Sequence, residues 1–188
     1  GGMSDLIGDN PYYHRGPIKD ARHFYNRTRE ISRALQMVRN GQSVSIVGPR
    51  RIGKSSFLYH LRHLNRIKER DTDAKRLFFV YVDGEGSNGL SKWEIMHVML
   101  QEVVESIKGE TLPQKLDHRL FDEIVRNLIR SGRQLVYLLD EFECLSTNPN
   151  LDADFFSFLR SLNTRYNVAY VTASLEPLLG PINNAKIG

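Results

Sequence analysis

Four short apolar segments, in which polar and apolar residues do not alternate, constrain the fold more than any other feature of this sequence. The segments are predicted strands: Ser43–Val47, Leu77–Val82, Leu135–Leu139 and Val168–Thr172. Between them the apolar residues recur at intervals of three and four, which is typical of amphipathic helices. Strands without alternation are buried on both faces, and helical connections join parallel strands. The pattern therefore predicts an α/β fold whose mainly parallel sheet is covered by helices on both sides.

Signals at the ends of the predicted helices support this division. Asn40–Gly41 ends the first helix, and Asp152 is expected to cap the helix before the fourth strand. Ser91 and Glu94 match a capping box at the start of another helix. A further helix is predicted with the inward positions Leu116, Leu120, Ile124 and Leu128.

The composition is that of an ordinary globular domain. Of the 188 residues, 40% are hydrophobic and 26% are charged, and the net charge is +4. The single cysteine, Cys144, excludes an internal disulfide and a zinc site built from cysteines, and it suits a reducing compartment. The longest apolar runs are far shorter than the ~20 residues that cross a membrane. We therefore expect a cytoplasmic protein with no membrane partner.

The segment Gly48–Ser55 fits the phosphate-loop pattern G-x-x-x-x-G-K-[ST], between a predicted strand and a predicted helix. In this context glycines let backbone N–H groups wrap phosphates closely, and the start of the helix adds its positive dipole end. Lys54 would contact the β- and γ-phosphates, and the Ser55 hydroxyl would be a ligand of Mg²⁺. The predicted nucleotide-binding residues of this segment are Gly48, Pro49, Arg50, Arg51, Ile52, Gly53, Lys54, Ser55 and Ser56.

Two carboxylates, Asp140 and Glu141, follow the apolar strand Leu135–Leu139, which is the Walker B pattern. Asp140 is expected to hold Mg²⁺ through a coordinated water, and Glu141 to orient and deprotonate the attacking water. The end of the fourth strand offers a further polar contact to the γ-phosphate or the water. Thr172 is the first choice for that contact and Ser174 the second, and an ordinary polar strand end is the alternative.

Three other patterns have weaker links to function. Gly84–Gly89 fits G-x-G-x-x-G, but the negative charge of Glu85 opposes a pyrophosphate, so a flexible loop near the γ-phosphate is expected instead. The basic stretch Arg62–Arg76 is either a solvated helix end or a patch for nucleic acid or a protein partner. Glu143 has no assigned role and is expected in a solvated helix start.

The region before the phosphate loop carries a resemblance to a known family. Phe24–Glu30 (FYNRTRE), the helix after it and the segment GPRRIGKSS together resemble the start of AAA+-related ATPases. The resemblance is closest to the AAA-like and STAND signalling ATPases, which are related to the origin-recognition ATPases. It implies that Phe24, Arg27 and Glu30 help to hold the adenine. It also implies the three-layer P-loop NTPase fold and the roles given above to the acidic pair and the fourth strand.

Two departures from the family pattern affect the expected domain organisation. Ala173-Ser174-Leu175-Glu176 follows the fourth strand, where STAND proteins often carry an arginine. The chain also stops before the fifth strand, the helical lid and the second sensor arginine that the resemblance implies, so we expect a truncated AAA+/STAND core. Gly1–Gly2 before Met3 is interpreted as a tag remnant. Residues 1–14 are expected to be this remnant with an N-terminal extension, and residues 15–188 the ATPase core without lid or C-terminal domains.

These patterns together predict a module that binds and hydrolyses ATP, with ATP and Mg²⁺ as cofactors. Its expected purpose is a nucleotide-driven switch that controls homo-oligomerisation or a protein partner. Two alternatives stay open. One is an origin-recognition-like module whose nucleotide state gates DNA binding, and the other is a switch that binds nucleotide without turnover. GTP is disfavoured because the guanine motif N-K-x-D does not occur.

Overall fold

The computed structural model describes residues 27–49, 53–63, 77–108 and 111–175. The helices in these ranges are α1 (Arg27–Arg39), α2 (Lys54–His63), α3 (Lys92–Lys108), α4 (His118–Arg130), α5 (Phe142–Ser146) and α6 (Ala153–Tyr166). The strands are β1 (Val44–Val47), β2 (Leu77–Asp83), β3 (Gln134–Asp140) and β4 (Ala169–Ser174). The four strands that the sequence predicts are therefore confirmed, and the helix start predicted at Glu143 belongs to the short helix α5.

All strand pairs in the described sheet are parallel, and the order is β1-β4-β3-β2. The last residue of β1, Val47, is level with Ser174 of β4. In the same way Asp83 of β2 is level with Asp140 of β3. The carboxyl ends of all four strands consequently meet at one edge of the sheet, which is where ligands of such sheets bind.

The core has two layers because successive residues of a strand point to opposite faces of the sheet. In β3 the side chains of Leu135, Tyr137 and Leu139 pack in the cluster formed with α3, α4 and α6. Val136 and Leu138 pack on the other face in the cluster formed with α1 and α2. A sheet between two helical layers confirms the predicted three-layer α/β fold. Within the described ranges, no helix has the length and apolarity needed to cross a membrane.

The helix ends show which of the predicted signals act. The capping box is confirmed, since the Ser91 N–H donates to Glu94 Oε1 over 3.1 Å and the Glu94 N–H donates to Ser91 Oγ over 3.2 Å. The Asp152 cap of α6 is also confirmed, with the Phe155 N–H donating to its Oδ1 over 2.9 Å.

The prediction for α4 is correct only in part. The helix begins at His118 with Asp117 as its N-cap, so Leu116 lies before the helix. The fully buried residues of α4 are Phe121, Val125 and Leu128, whereas Leu120 and Ile124 are only partly buried. All four predicted positions thus pack in or against the core, and the prediction missed Phe121 and Val125 as fully buried residues.

Side-chain amides join the loops at the amino-terminal edge of the sheet. Asn163 Nδ2 donates to the carbonyls of Gly41 over 2.7 Å and Val168 over 2.9 Å. Gln134 Nε2 donates to the carbonyls of Val38 over 2.5 Å and Asn167 over 3.0 Å. These bonds satisfy backbone acceptors where helices and strands connect, at the edge opposite the carboxyl ends.

We predict that Asp152→Ala lowers the free energy of unfolding by about 1 kcal/mol at neutral pH, because the Phe155 N–H loses its acceptor. Asp152→Asn should retain most of the stability, since an asparagine side chain also caps. The same hydrogen bond lowers the pKa of Asp152. The stabilisation is therefore present above the ordinary carboxyl pKa and is lost as the pH falls through the lowered value. Urea denaturation of the three proteins at several pH values tests this, and equal stability of Asp152→Ala and the parent chain would contradict it.

Candidate active site

A cavity of about 460 Å³ opens at the carboxyl edge of the sheet, between the start of α2 and the ends of β3 and β4. The residues that line it are Gly53, Lys54, Ser55, Ser56, Asp140, Glu141, Glu143, Ala173, Ser174 and Leu175. The two motifs that are far apart in the sequence, the phosphate loop and the acidic pair, therefore share one cavity. Parallel strand pairing is what brings them together.

The described part of the phosphate loop has the geometry that its glycines allow. Gly53 has a φ of 95°, a conformation that glycine adopts without steric cost, and α2 begins at the next residue. Lys54 Nζ donates to the carbonyl of Gly48 and, over 2.9 Å, to the carbonyl of Ser174. The Gly48 N–H also donates to the carbonyl of Ser174, over 3.2 Å. Lys54 thus connects the start of the loop to the end of β4.

The structure describes only some of the other predicted loop residues. Ser55 and Ser56 belong to the first turn of α2 and line the cavity. Pro49 lies directly after β1 and Gly48. The predicted contacts Arg50, Arg51 and Ile52 lie outside the described residues.

Asp140 is buried at the end of β3, with only 4% of its surface exposed. Its Oδ1 accepts the N–H of Glu141 over 3.0 Å, and its Oδ2 accepts the hydroxyl of Tyr81 over 2.5 Å. Burial, and then the hydrogen bond to Asp140, hold the pKa of Tyr81 far above its ordinary value. The phenol therefore keeps its proton and donates a hydrogen bond to the carboxylate.

Glu141 has a left-handed backbone conformation, with φ 46° and ψ 53°. For a residue other than glycine this costs about 1–3 kcal/mol, and such strain is concentrated at functional positions. Gly84, directly after the neighbouring strand β2, stabilises the backbone at the acidic pair, because its N–H donates to the carbonyl of Asp140 over 2.8 Å. A Cβ on Gly84 would lie 2.3 Å from the carbonyl oxygen of Glu141 and 2.4 Å from that of Asp140. Only glycine fits at position 84.

The segment Gly84–Gly89 is a series of hydrogen-bonded turns, which differs from the flexible loop that the sequence suggests. The Ser87 hydroxyl donates to the carbonyl of Asp83 over 2.7 Å, and Asn150 Nδ2 donates to the carbonyl of Gly89 over 3.1 Å. The first glycine of the motif, Gly84, packs against the backbone of Asp140 and Glu141. Its role is close backbone contact rather than pyrophosphate binding.

Glu143 lies in the first turn of α5, as predicted, but it is only partly exposed and lines the cavity. Its Oε2 accepts the N–H of Leu175 over 3.3 Å, which joins α5 to the residue after β4. Cys144 is partly buried, and its thiol donates to Glu141 Oε2 over 3.9 Å. Side chains of α5 therefore contact both the acidic pair and the end of β4.

Thr172 and Ser174 are both buried and, being two residues apart on β4, point to the same face of the sheet. Ser174 is level with the end of β1 and lines the cavity. Thr172 lies two residues earlier, level with Ser45 of β1 and Leu139 of β3. Ser174, the second choice from the sequence, is thus the nearer of the two to the opening.

The three predicted adenine contacts are described unequally. Phe24 lies outside the described residues, and Arg27 is described only as the first residue of the α1 backbone. Glu30 is buried in α1, and its Oε1 lies 4.0 Å from Nη1 of Arg33 one turn further on.

Sequence reasoning missed Tyr81 and Gly84, the two residues of the β2 region that contact the acidic pair. The signal for Tyr81 was a hydroxyl-bearing residue near the end of an otherwise apolar strand. For Gly84 the signal was a glycine directly after that strand. Neither signal has meaning until β2 is known to be the neighbour of β3.

Solved structures share this fold at low sequence identity. The ORC2 protein of Aeropyrum pernix, in its ADPNP–ADP complexes, is 18% identical with a TM-score of 0.58, and the match covers 91% of this chain and 46% of that one. The ORC1 protein of Aeropyrum pernix, in complex with DNA, is 16% identical with a TM-score of 0.57, covering 87% of this chain and 43% of that one. Drosophila ORC bound to poly(dA/dT) DNA and Cdc6 is 13% identical with a TM-score of 0.63, covering 100% of this chain and 33% of that one. This chain spans less than half the length of each.

The sequence itself is similar to one family. None of the curated proteins is significantly similar to it. The family model described as Novel STAND NTPase 2 matches residues 32–187, a range that contains the phosphate loop, the acidic pair and β4. The chain therefore belongs to the Novel STAND NTPase 2 family and, with it, to the P-loop ATPases of the AAA+ and STAND group.

Proposed function

We propose that this chain binds ATP with Mg²⁺ and hydrolyses it, and that the nucleotide acts as a switch. The observation that carries the proposal is that one cavity contains Lys54 and Ser55 together with Asp140 and Glu141. A cation and a helix start suit the phosphates, and two carboxylates suit a metal ion and a water. The solved ORC2 complexes with ADPNP and ADP support a nucleotide as the ligand of this fold.

ATP binding would change the contacts of Lys54. Its ammonium group now donates to the carbonyls of Gly48 and Ser174. The β- and γ-phosphate oxygens would replace at least the carbonyl of Ser174, because hydrogen bonds between charged groups are the stronger ones. The positive end of α2 would add to phosphate binding. Phe24, Arg27 and Glu30 remain the proposed adenine contacts, and Arg50, Arg51 and Ile52 the proposed backbone cradle.

The oxygen donors at the cavity fit Mg²⁺. This ion takes one or two protein oxygens together with waters and substrate phosphates. The Ser55 hydroxyl and the Asp140 carboxylate are such donors, and the described residues contain no group of three or more His, Cys, Asp or Glu side chains placed to hold a metal ion. When bound, Mg²⁺ would neutralise charge on the phosphate oxygens. Ser55 would bind it directly and Asp140 through a water.

Glu141 is the proposed general base. It would accept a proton from the attacking water while the water oxygen bonds to the γ-phosphorus and the bond to the bridging oxygen breaks, releasing ADP and phosphate. The left-handed backbone of Glu141 supports this role, because strain of this kind is retained where a side chain must point in one direction. Ser174 or Thr172 would contact the γ-phosphate or the water, and Ser174 is the one at the cavity.

The regulatory part of the proposal depends on β4. The carbonyl of Ser174 accepts Lys54, and the N–H of the next residue donates to Glu143. If phosphate takes Lys54 from that carbonyl, the contacts at the start of the segment after β4 change with it. Such a change could be transmitted to a second copy of the chain or to a protein partner. Residues 15–188 would form the ATPase core.

A second candidate function is a DNA-binding module gated by nucleotide. It is favoured by the net charge of +4 and the basic stretch Arg62–Arg76. The solved ORC1 structure supports it further, because a protein with the same fold is there in complex with DNA.

We predict that Glu141→Gln lowers ATP turnover by about 100-fold or more with little effect on ATP binding, because a general base acts only in the reaction. Lys54→Ala should weaken ATP binding and lower turnover by about 100-fold, because the phosphates lose their charged contact. Phosphate release and binding of a fluorescent ATP analogue measure the two effects. The exposed residues Glu123 and Lys115 provide matched controls, since Glu123→Gln and Lys115→Ala make the same changes outside the cavity.

Substitution of Glu143, the other acidic residue at the cavity, tests whether Glu141 or Glu143 is the general base. Glu143→Gln should retain most of the turnover, because its amide oxygen can still accept the N–H of Leu175. A greater loss in Glu143→Gln than in Glu141→Gln would assign the base to Glu143. Binding that only Lys54→Ala abolishes, with no turnover in the parent chain, would leave a nucleotide switch without hydrolysis.

For the DNA-binding candidate, we predict that duplex DNA affinity falls roughly a hundredfold when salt rises fourfold, for roughly four phosphate contacts. Arg66→Glu with Lys68→Glu should weaken binding at low salt, whereas Lys115→Glu with Arg119→Glu should not. Fluorescence anisotropy with ATP analogue and with ADP shows whether nucleotide gates the binding. Retention that is indifferent to salt, or absent at low salt, would contradict this function.

A further inference from the structure

We propose that Tyr81 is a positioning residue, whose hydroxyl holds the Asp140 carboxylate in the one orientation that serves the metal ion. This inference rests on the proposed function, because it concerns the same carboxylate. It adds a residue outside both sequence motifs and outside the residues that line the cavity.

The contact follows from the register of the sheet. Tyr81 of β2 is level with Leu138 of β3, and Asp140 is the next residue of β3 on the same face. The long tyrosine side chain spans that offset, and its hydroxyl donates to Asp140 Oδ2 over 2.5 Å. A shorter side chain at position 81 could not make the contact. A phenylalanine would fill the same volume without the hydrogen bond.

The carboxylate of Asp140 is held at both oxygens. Oδ2 accepts the Tyr81 hydroxyl, and Oδ1 accepts the N–H of Glu141. Each carboxylate oxygen can accept two hydrogen bonds, so each can still accept one from a water. These two donors, from β2 and from the residue after Asp140, restrict the orientation of the carboxylate. A metal-bound water would therefore meet acceptors that are already oriented.

The ring of Tyr81 is itself held by α2. Tyr59 stacks on it with ring centroids 4.8 Å apart and an interplanar angle of 20°. The guanidinium of Arg62 lies 5.8 Å from the ring centroid, and Arg62 Nη2 donates to Glu102 Oε1 of α3 over 2.8 Å. The helix that begins with Lys54 therefore also fixes the tyrosine that fixes Asp140.

The test measures metal binding directly, with Mn²⁺ as the probe for Mg²⁺. Free Mn²⁺ is followed by electron paramagnetic resonance in a titration of the full chain with ADP bound. We expect Tyr81→Phe to weaken Mn²⁺ binding by about tenfold. The affinity for ADP without metal should stay within about twofold of the parent value. Asp140→Asn in the same titration shows what loss of the carboxylate itself does.

A second tyrosine provides the matched control. The hydroxyl of Tyr166 on α6 donates to Asp122 Oδ2 on α4 over 2.7 Å, away from the cavity residues. Tyr166→Phe thus removes the same kind of hydrogen bond and should leave Mn²⁺ binding unchanged. Thermal melting of each variant separates a loss of folding from a loss of metal affinity.

The outcomes distinguish this inference from the proposed function. Weaker Mn²⁺ binding in Asp140→Asn, with Tyr81→Phe equal to the parent chain, overturns the inference alone. Unchanged binding in Asp140→Asn overturns the metal assignment of the proposed function and the inference with it. A loss of metal-free ADP affinity in Tyr81→Phe, parallel to the loss of Mn²⁺ affinity, would mean that the hydroxyl supports the fold instead.

Discussion

Parallel pairing of the four described strands determines where the residues that line the candidate site lie. The carboxyl ends of parallel strands meet at one edge, so residues that follow β1, β3 and β4 converge there whatever their distance in the sequence. Lys54 and Ser174 are hydrogen-bonded to each other across that edge. The pairing is itself stabilised by apolar side chains on both faces of the sheet. Without burial on both faces, the cavity would not assemble.

Much of the fold could be predicted because its signals are local. Apolar runs indicated β1 to β4, and Ser91 and Asp152 indicated where two helices begin. Local signals were less exact at α4, where Leu116 precedes the N-cap and the fully buried Phe121 and Val125 were not predicted. The short helix α5 carries no repeat from which its length could be predicted.

The candidate site likewise contains residues that the sequence predicts and residues that only the structure identifies. The phosphate loop and the acidic pair are contiguous motifs, so the sequence alone brings them to attention. The contacts of Tyr81, Gly84 and Glu143 are with residues that are distant in the chain. Tyr81 and Gly84 contact the end of β3, and Glu143 contacts the residue after β4. The order of strands in the sheet decides these contacts, and a single sequence does not state that order. Positions that support a site are for this reason harder to predict than positions that form it.

The amides of Gln134 and Asn163 bind backbone carbonyls at the amino-terminal edge of the sheet, opposite the cavity. The hydrogen bonds that connect these helices and strands therefore lie at the edge opposite the candidate site. Substitutions around the cavity can alter ligand preference or rate while the connections between helices and strands stay intact. A domain arranged in this way can diverge in function through its carboxyl edge alone, with its architecture inherited unchanged.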